Sequence, residues 1–160
     1  MKKFFYIIPG WSESSKYKIY QSLAQSAEKK GYNAVFYDIN WKSSLSLQIF
    51  PVQKNSVIFG FSLGAIFARL IAQKHECKKL ILASMTPLYS FKDKKIKAAL
   101  VELLDKKFIE DISKNLKTKH QAHSQIVIYG DREEEKGDII VPRTGHRLNA
   151  RYVREIVNLL

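Results

Sequence analysis

An α/β fold with a mostly parallel sheet of about six strands and helices on both faces is predicted by three features of the chain. Short apolar runs rich in β-formers recur along it, they alternate with stretches of helical periodicity, and most of them are apolar at consecutive positions rather than at every second one. Continuous apolar strands are those covered on both faces, the situation of parallel sheets flanked by helices.

The strand candidates are Phe4–Ile8, Ala34–Asp38, Ser56–Phe59, Leu80–Ala83, Ile126–Tyr129 and Asp138–Val141. A helix is expected from about Ser14 to Lys30, with Tyr20, Leu23, Ala24 and Ala27 on one face and Lys29-Lys30-Gly31 as a cationic, glycine-terminated end. A second, about Leu63 to Lys74, is apolar at nearly every early position and should be buried. The last, Ala150 to Leu160, has Asn149 as cap and a stripe of Tyr152, Val153, Ile156, Val157 and Leu160. Residues 91–116 carry one or two amphipathic helices, read either as a small lid or as crossover helices packed on the sheet. With 160 residues and no internal repeat or linker, one domain spanning 1–160 is expected.

Charge and composition narrow the function classes. Lys and Arg total 27 against 15 Asp and Glu, a net charge of +12, which attracts acidic partners at long range. The lysines are scattered as doublets without a recognition-helix, RNP or zinc-finger pattern, so no specific nucleic acid partner is expected. Cys77 is the sole cysteine and excludes an internal disulfide framework. The apolar run after Lys2-Lys3 stops at Pro9-Gly10, too short for a secretory signal, and no stretch reaches the roughly 18 to 20 apolar residues of a membrane span. A soluble, cytoplasmic protein is the expectation.

The sharpest chemical signal is Gly60-Phe61-Ser62-Leu63-Gly64, placed between a strand and a buried helix. In a G-x-S-x-G turn the glycines permit a tight strand-to-helix reversal that leaves the serine hydroxyl exposed at the helix N-terminus. A chain of this length shows the bare pattern by chance about one time in twenty, so its placement carries the weight. A serine hydroxyl needs a base. Of the four histidines, His75, His120 and His123 lie where solvated residues are natural. His120 and His123 have metal-like spacing without nearby acidic or cysteine ligands, and no metal or cofactor is expected. His146 follows the last strand in the loop Pro142-Arg143-Thr144-Gly145 and is the candidate base. The orienting acid should come from Gly130-Asp131-Arg132-Glu133-Glu134-Glu135, and the residues leave open which one. Ile8-Pro9-Gly10-Trp11 ends the first strand, where the Trp11 N–H could join the Leu63 N–H as an oxyanion donor.

Together these positions resemble the α/β-hydrolase family over nearly the whole chain. Gly60–Gly64 is similar to its nucleophile elbow and Gly145-His146 to its terminal catalytic histidine. Pro9-Gly10-Trp11 is similar to the His-Gly-Trp oxyanion loop of small esterases such as the pimeloyl-carrier-protein methyl esterases, with Pro9 in place of the histidine. The resemblance implies Trp11 and Leu63 as oxyanion donors, and a pared-down sheet beginning at the family's third strand. The family's register places its acid at Glu133, whereas its usual residue type favours Asp131; Glu133 is preferred, with Asp131 a close rival. The connection Asp131 to Gly137 is short where the family inserts a helix, which makes the parallel pairing of Asp138–Val141 the least secure element.

The expected function is serine hydrolysis of a carboxylic ester or thioester through an acyl-Ser62 intermediate, on a small molecule or on an acidic carrier protein that the lysines attract. Phe61, Trp11, Met85, Leu88 and Phe91 are candidates for the acyl pocket or the core. The alternative is a non-catalytic binding protein on the same scaffold, docking nucleic acid or an acidic partner through its basic surface.

Overall fold

The computed structural model describes residues 2–160. Strands β1 (Lys3–Ile8), β2 (Tyr32–Phe36), β3 (Val57–Phe61), β4 (Cys77–Ala83), β5 (Ala122–Gly130) and β6 (Ile139–Val141) form one sheet in the order β2-β1-β3-β4-β5-β6. Every neighbouring pair is parallel. The helices are α1 (Lys18–Lys29), α2 (Leu63–Lys74), α3 (Lys94–Leu103), α4 (Lys106–Asn115) and α5 (Ala150–Asn158).

Alternation along each strand divides the core in two. Phe5, Ile7, Val57 and Phe59 face α1 and α5, where Tyr20, Leu23, Tyr152, Val153 and Ile156 complete one apolar cluster. Tyr6, Ile8 and Ile58 face the other way, onto Ile66 and Leu70 of α2 and Phe108, Ile109 and Ile112 of α4. Both strand faces are covered, which is why the strands read as unbroken apolar runs. Fully buried rings such as Phe5 and Phe59 dominate this packing, each contributing about 1.5 to 3 kcal/mol through burial.

Several boundaries differ from the sequence expectation, each for a local reason. β2 starts two residues earlier and stops at Phe36. Asp38 is instead drawn off to Ser15, accepting its N–H at 2.7 Å and its hydroxyl at 2.6 Å. Those bonds hold 14–17 in a turn, so α1 begins at Lys18 rather than Ser14. β4 and β5 extend backwards through Lys78, Lys79, Ser124 and Gln125, polar residues whose backbones continue the ladder.

The pairing of β6 is parallel despite a connection of only residues 131–138. A full-length crossover needs a dozen or more residues. Here Ile139 pairs with Ile128, Ile140 with Tyr129 and Val141 with Gly130, so the chain retreats by two residues, about 7 Å, before pairing again. Asp138 closes the return: its N–H donates to the Val127 carbonyl, and its carboxylate accepts the Val127 N–H, both at 2.8 Å. Gly137 lies so close that a Cβ would sit 2.4 Å from the Val127 oxygen.

Residues 91–116 contain two helices that differ in burial. α4, capped by Asp105 accepting from the N–H groups of Lys107 and Phe108, buries Phe108, Ile109 and Ile112 against the sheet layer. α3, capped by Asp93, buries no residue, and leaves Ile96 38% and Leu103 53% exposed.

Candidate active site

β3 ends at Phe61, and Ser62 turns the chain directly into α2. Ser62 has φ 55° and ψ −121°, a conformation that L-residues avoid at a cost of order 1–3 kcal/mol, held here by its N–H donating to the Ala83 carbonyl at 2.9 Å. Both flanking glycines are required by close approach. A Cβ on Gly60 would lie 2.3 Å from the Gly64 oxygen, and one on Gly64 would lie 2.3 Å from the Pro9 oxygen. The turn thus packs against itself and against the end of β1.

The loop between β6 and α5 brings His146 to the same edge. Its Nε2 lies 2.9 Å from Ser62 Oγ and its Nδ1 lies 2.9 Å from Glu133 Oε1. The imidazole rests on the buried ring of Phe61, centroids 5.4 Å apart. Glu133 is therefore the acid beside the imidazole, and Asp131 is not. Asp131 instead accepts the N–H groups of Arg143 at 2.7 Å and Thr144 at 2.9 Å, tying the histidine loop to the end of β5. Arg132 N–H adds a bond to the Thr144 carbonyl, and Gly130 lets that carbonyl approach: a Cβ there would be 2.0 Å from it. The two backbone N–H bonds hold the Asp131 carboxyl below its ordinary pKa.

Glu133 is braced on its other oxygen. Oε2 accepts from the Gly130 N–H at 2.7 Å, the Ser84 hydroxyl at 2.7 Å and the Tyr152 hydroxyl at 2.9 Å. Burial alone would raise the pKa of this carboxyl; the bonds from Gly130, Ser84, His146 and Tyr152 outweigh it and leave it below the ordinary range. Ser84 and Tyr152 also lie 2.5 Å apart, so three oxygens share two hydroxyl protons. Burial, with Glu133 adjacent, raises the Tyr152 pKa, which keeps its phenol protonated and donating.

Neither Ser84 nor Tyr152 emerges as a site residue from the sequence. Tyr152 reads there only as part of the α5 core stripe, and it is indeed fully buried. The signal for Ser84 is its place one residue past β4, where the chain takes φ 44°.

Leu63 is the first residue of α2, so its N–H sits at the positive end of the helix dipole, equivalent to about half a charge. Trp11 lies in the turn after β1, closed by the Glu13 N–H donating to the Gly10 carbonyl at 3.1 Å. Glu13 braces that turn through its carboxylate, which accepts the Gly10 N–H at 3.0 Å and the buried Tyr20 hydroxyl at 2.5 Å. A Cβ on Gly10 would be 3.1 Å from the Phe61 oxygen, so the turn abuts the elbow. Neither the Trp11 nor the Leu63 N–H finds an acceptor among the described residues.

A groove of about 540 Å³ opens over Ser62 and His146, walled by Met85, Tyr89, Ile96 and Tyr129. Its rim carries Glu134 and Glu135, the latter accepting the Tyr89 hydroxyl at 2.6 Å. Of the other expected wall residues, Phe61 and Phe91 are core, each 2% exposed. Leu88 borders a separate cavity with Phe91. Elsewhere, His123 Nε2 lies 2.8 Å from Glu76, His120 Nδ1 accepts the Ala122 N–H, and His75 ends α2. No helix among the described residues is long and apolar enough to cross a membrane.

No protein-family model matches the chain, and no curated protein sequence does. Solved structures do match its fold. Est1E from Butyrivibrio proteoclasticus superposes with a TM-score of 0.71 at 11% identity over 99% of this chain and 85% of that one. Alpha/beta hydrolase domain-containing protein 10 from mouse gives 0.67 at 11% identity, covering 98% and 87%. An alpha/beta hydrolase enzyme from a lagoon-sediment metagenome of Mar Chica, Morocco, gives 0.64 at 16% identity, covering 99% and 89%. A wholly parallel six-stranded sheet, its strand-to-helix elbow and these superpositions together identify the chain's architecture as the α/β-hydrolase fold.

Proposed function

We propose that the protein is a serine hydrolase that cleaves a carboxylic ester or thioester through an acyl-Ser62 intermediate. The observation that carries this reading is the unbroken chain of contacts from Ser62 Oγ through both nitrogens of His146 to Glu133, each at 2.9 Å. His146 Nε2 takes the Ser62 proton as Oγ attacks the substrate carbonyl carbon. The carbonyl π pair moves onto oxygen, where the Leu63 and Trp11 N–H groups receive it. Collapse breaks the bond to the leaving alcohol or thiol, which takes the proton from His146. Water then attacks the acyl group, giving its proton to His146, and Ser62 is released with that proton returned. Glu133 keeps the Nδ1 proton facing itself and stabilises the imidazolium in both half-reactions.

Est1E, which shares the fold, has been solved with ferulic acid bound, and lends support to an ester-directed role for this scaffold. Glu133, Glu134 and Glu135 outnumber Arg132 around the groove, a balance that disfavours a small anion there and favours an uncharged ester or thioester.

Replacing Ser62 with Ala should abolish turnover of a short p-nitrophenyl ester, a loss on the order of 10⁶ in kcat. A fluorophosphonate probe should label the wild-type chain at Ser62. An unchanged rate, or no labelling of a folded chain, rejects the assignment.

A further inference from the structure

A second cavity, of about 370 Å³, lies at the far end of α2 from Ser62, a helix of 12 residues and so about 18 Å long. Lys74, Lys117, Lys119 and His120 line it, with Leu70 and Ile49 as its apolar part. None of the three lysines is ion-paired among the described residues. His120 Nδ1 accepts the Ala122 N–H at 3.2 Å, so in the neutral ring the proton resides on Nε2, and the imidazole is left with a donor.

The amides around this cavity are committed to one another. Gln73 accepts the Lys117 N–H at 2.7 Å and donates to the Asn115 carbonyl at 2.9 Å, while Gln121 donates to the Gln73 carbonyl at 3.0 Å. They form a frame and leave the cationic groups free.

Behind the frame lies Arg69, 5% exposed and without a carboxylate partner. It donates to Gln125 Oε1 and to the carbonyls of Lys117 and Thr118, the backbone of the loop that carries two of the lysines. A buried guanidinium without a counter-charge is costly, and it adds to the field of the three ammonium groups. The carbonyl ends of α2 and α4 supply only about half a negative charge each. Against these four positive charges stand the two helix ends and one carboxylate, Asp111, which accepts from Ser46 and Asn115 at the border of the cavity, so positive charge stays in excess by about two.

We propose that this cavity binds the phosphate group of a small phosphomonoester, the dianion on Lys74, Lys117, Lys119 and His120 and the organic part against Leu70 and Ile49. A phosphate dianion offers three acceptor oxygens to four donors, and such charge-assisted bonds are the strong ones. The site is independent of the serine chemistry, standing at the opposite end of the helix.

The test is titration of the ¹⁵N-labelled chain with phenyl phosphate and with orthophosphate at constant ionic strength, followed by backbone amide shifts. Saturable shifts confined to 70–74 and 117–121 are expected, with phenyl phosphate binding more tightly. Lys117→Ala/Lys119→Ala, both exposed, should weaken binding about tenfold or more. Lys94→Ala/Lys95→Ala on α3 removes the same charge elsewhere and should leave binding unchanged. Equal weakening by the two double variants, or shifts spread over the whole basic surface, would overturn the site. Equal affinity for the two probes would overturn its specificity for an ester.

Discussion

Asp131 and Glu133 stand two residues apart in one loop, and the fold uses them for different ends. Glu133 is enclosed, with one oxygen on His146 and the other held by an amide and two hydroxyls. Asp131 is exposed and binds only backbone N–H groups of the histidine loop. One carboxylate orients a ring and the other orients the loop that carries it. The difference teaches that residue type is a poor guide to the acid in such a loop; which side chain can reach the imidazole Nδ1 from the fixed backbone decides.

The sharpest way to break this contrast is Glu133→Gln. It should preserve the fold but lower kcat by about 10³ to 10⁴, because an amide can present the wrong group to Nδ1 and cannot balance the imidazolium. Asp131→Asn should act only through placement of His146, with a loss of at most about 10² in kcat, since misplacing a group by an ångström costs on that scale. If Asp131→Asn proves the more damaging in steady-state kinetics, the assignment of the two acids is reversed.

Tyr152→Phe removes one of the donors to Glu133 while Ser84 and Gly130 remain. A reduction in kcat of about fivefold is expected, corresponding to about 1 kcal/mol for one net hydrogen bond. Its thermal midpoint should shift little, because the ring stays packed. Both carboxyls have native pKa values below the ordinary range of about 4, so each contributes stability that is present above that range and lost as pH falls through the native value. Melting curves between about pH 6 and 3 should show wild-type stability falling with acid. In Glu133→Gln the decline should be shallower, the smallest of these effects.

Much of the site was legible because its constraints are local in the chain. The glycines around Ser62, the loop glycine before His146 and the strand-end position of Glu133 are each set by their own turn. Ser84 and Tyr152 were not legible, since a hydroxyl becomes a ligand of Glu133 only when β4, β5 and α5 converge. Tyr152 in particular satisfies the periodicity of a core residue while its oxygen does something else. Strand order and the split of 91–116 into a deeply and a shallowly packed helix likewise depend on tertiary contacts. The β4 and β5 starts were missed because Lys78, Lys79 and Ser124 hide a backbone ladder behind polar side chains.

The two-rung return into β6 has a consequence for how this protein can diversify. With no room for a helix between 131 and 138, that connection can carry the carboxylate beside His146 but not a roof. Gatekeeping over the groove then falls to Met85 and Tyr89, on the segment leading into the loosely packed α3, and to Ile96 in its first turn. The Ser62–His146–Glu133 contacts and the groove wall thereby lie largely on separate stretches of chain, so that exchanging 85–104 should change which ligands the groove admits while those three side chains stay in register.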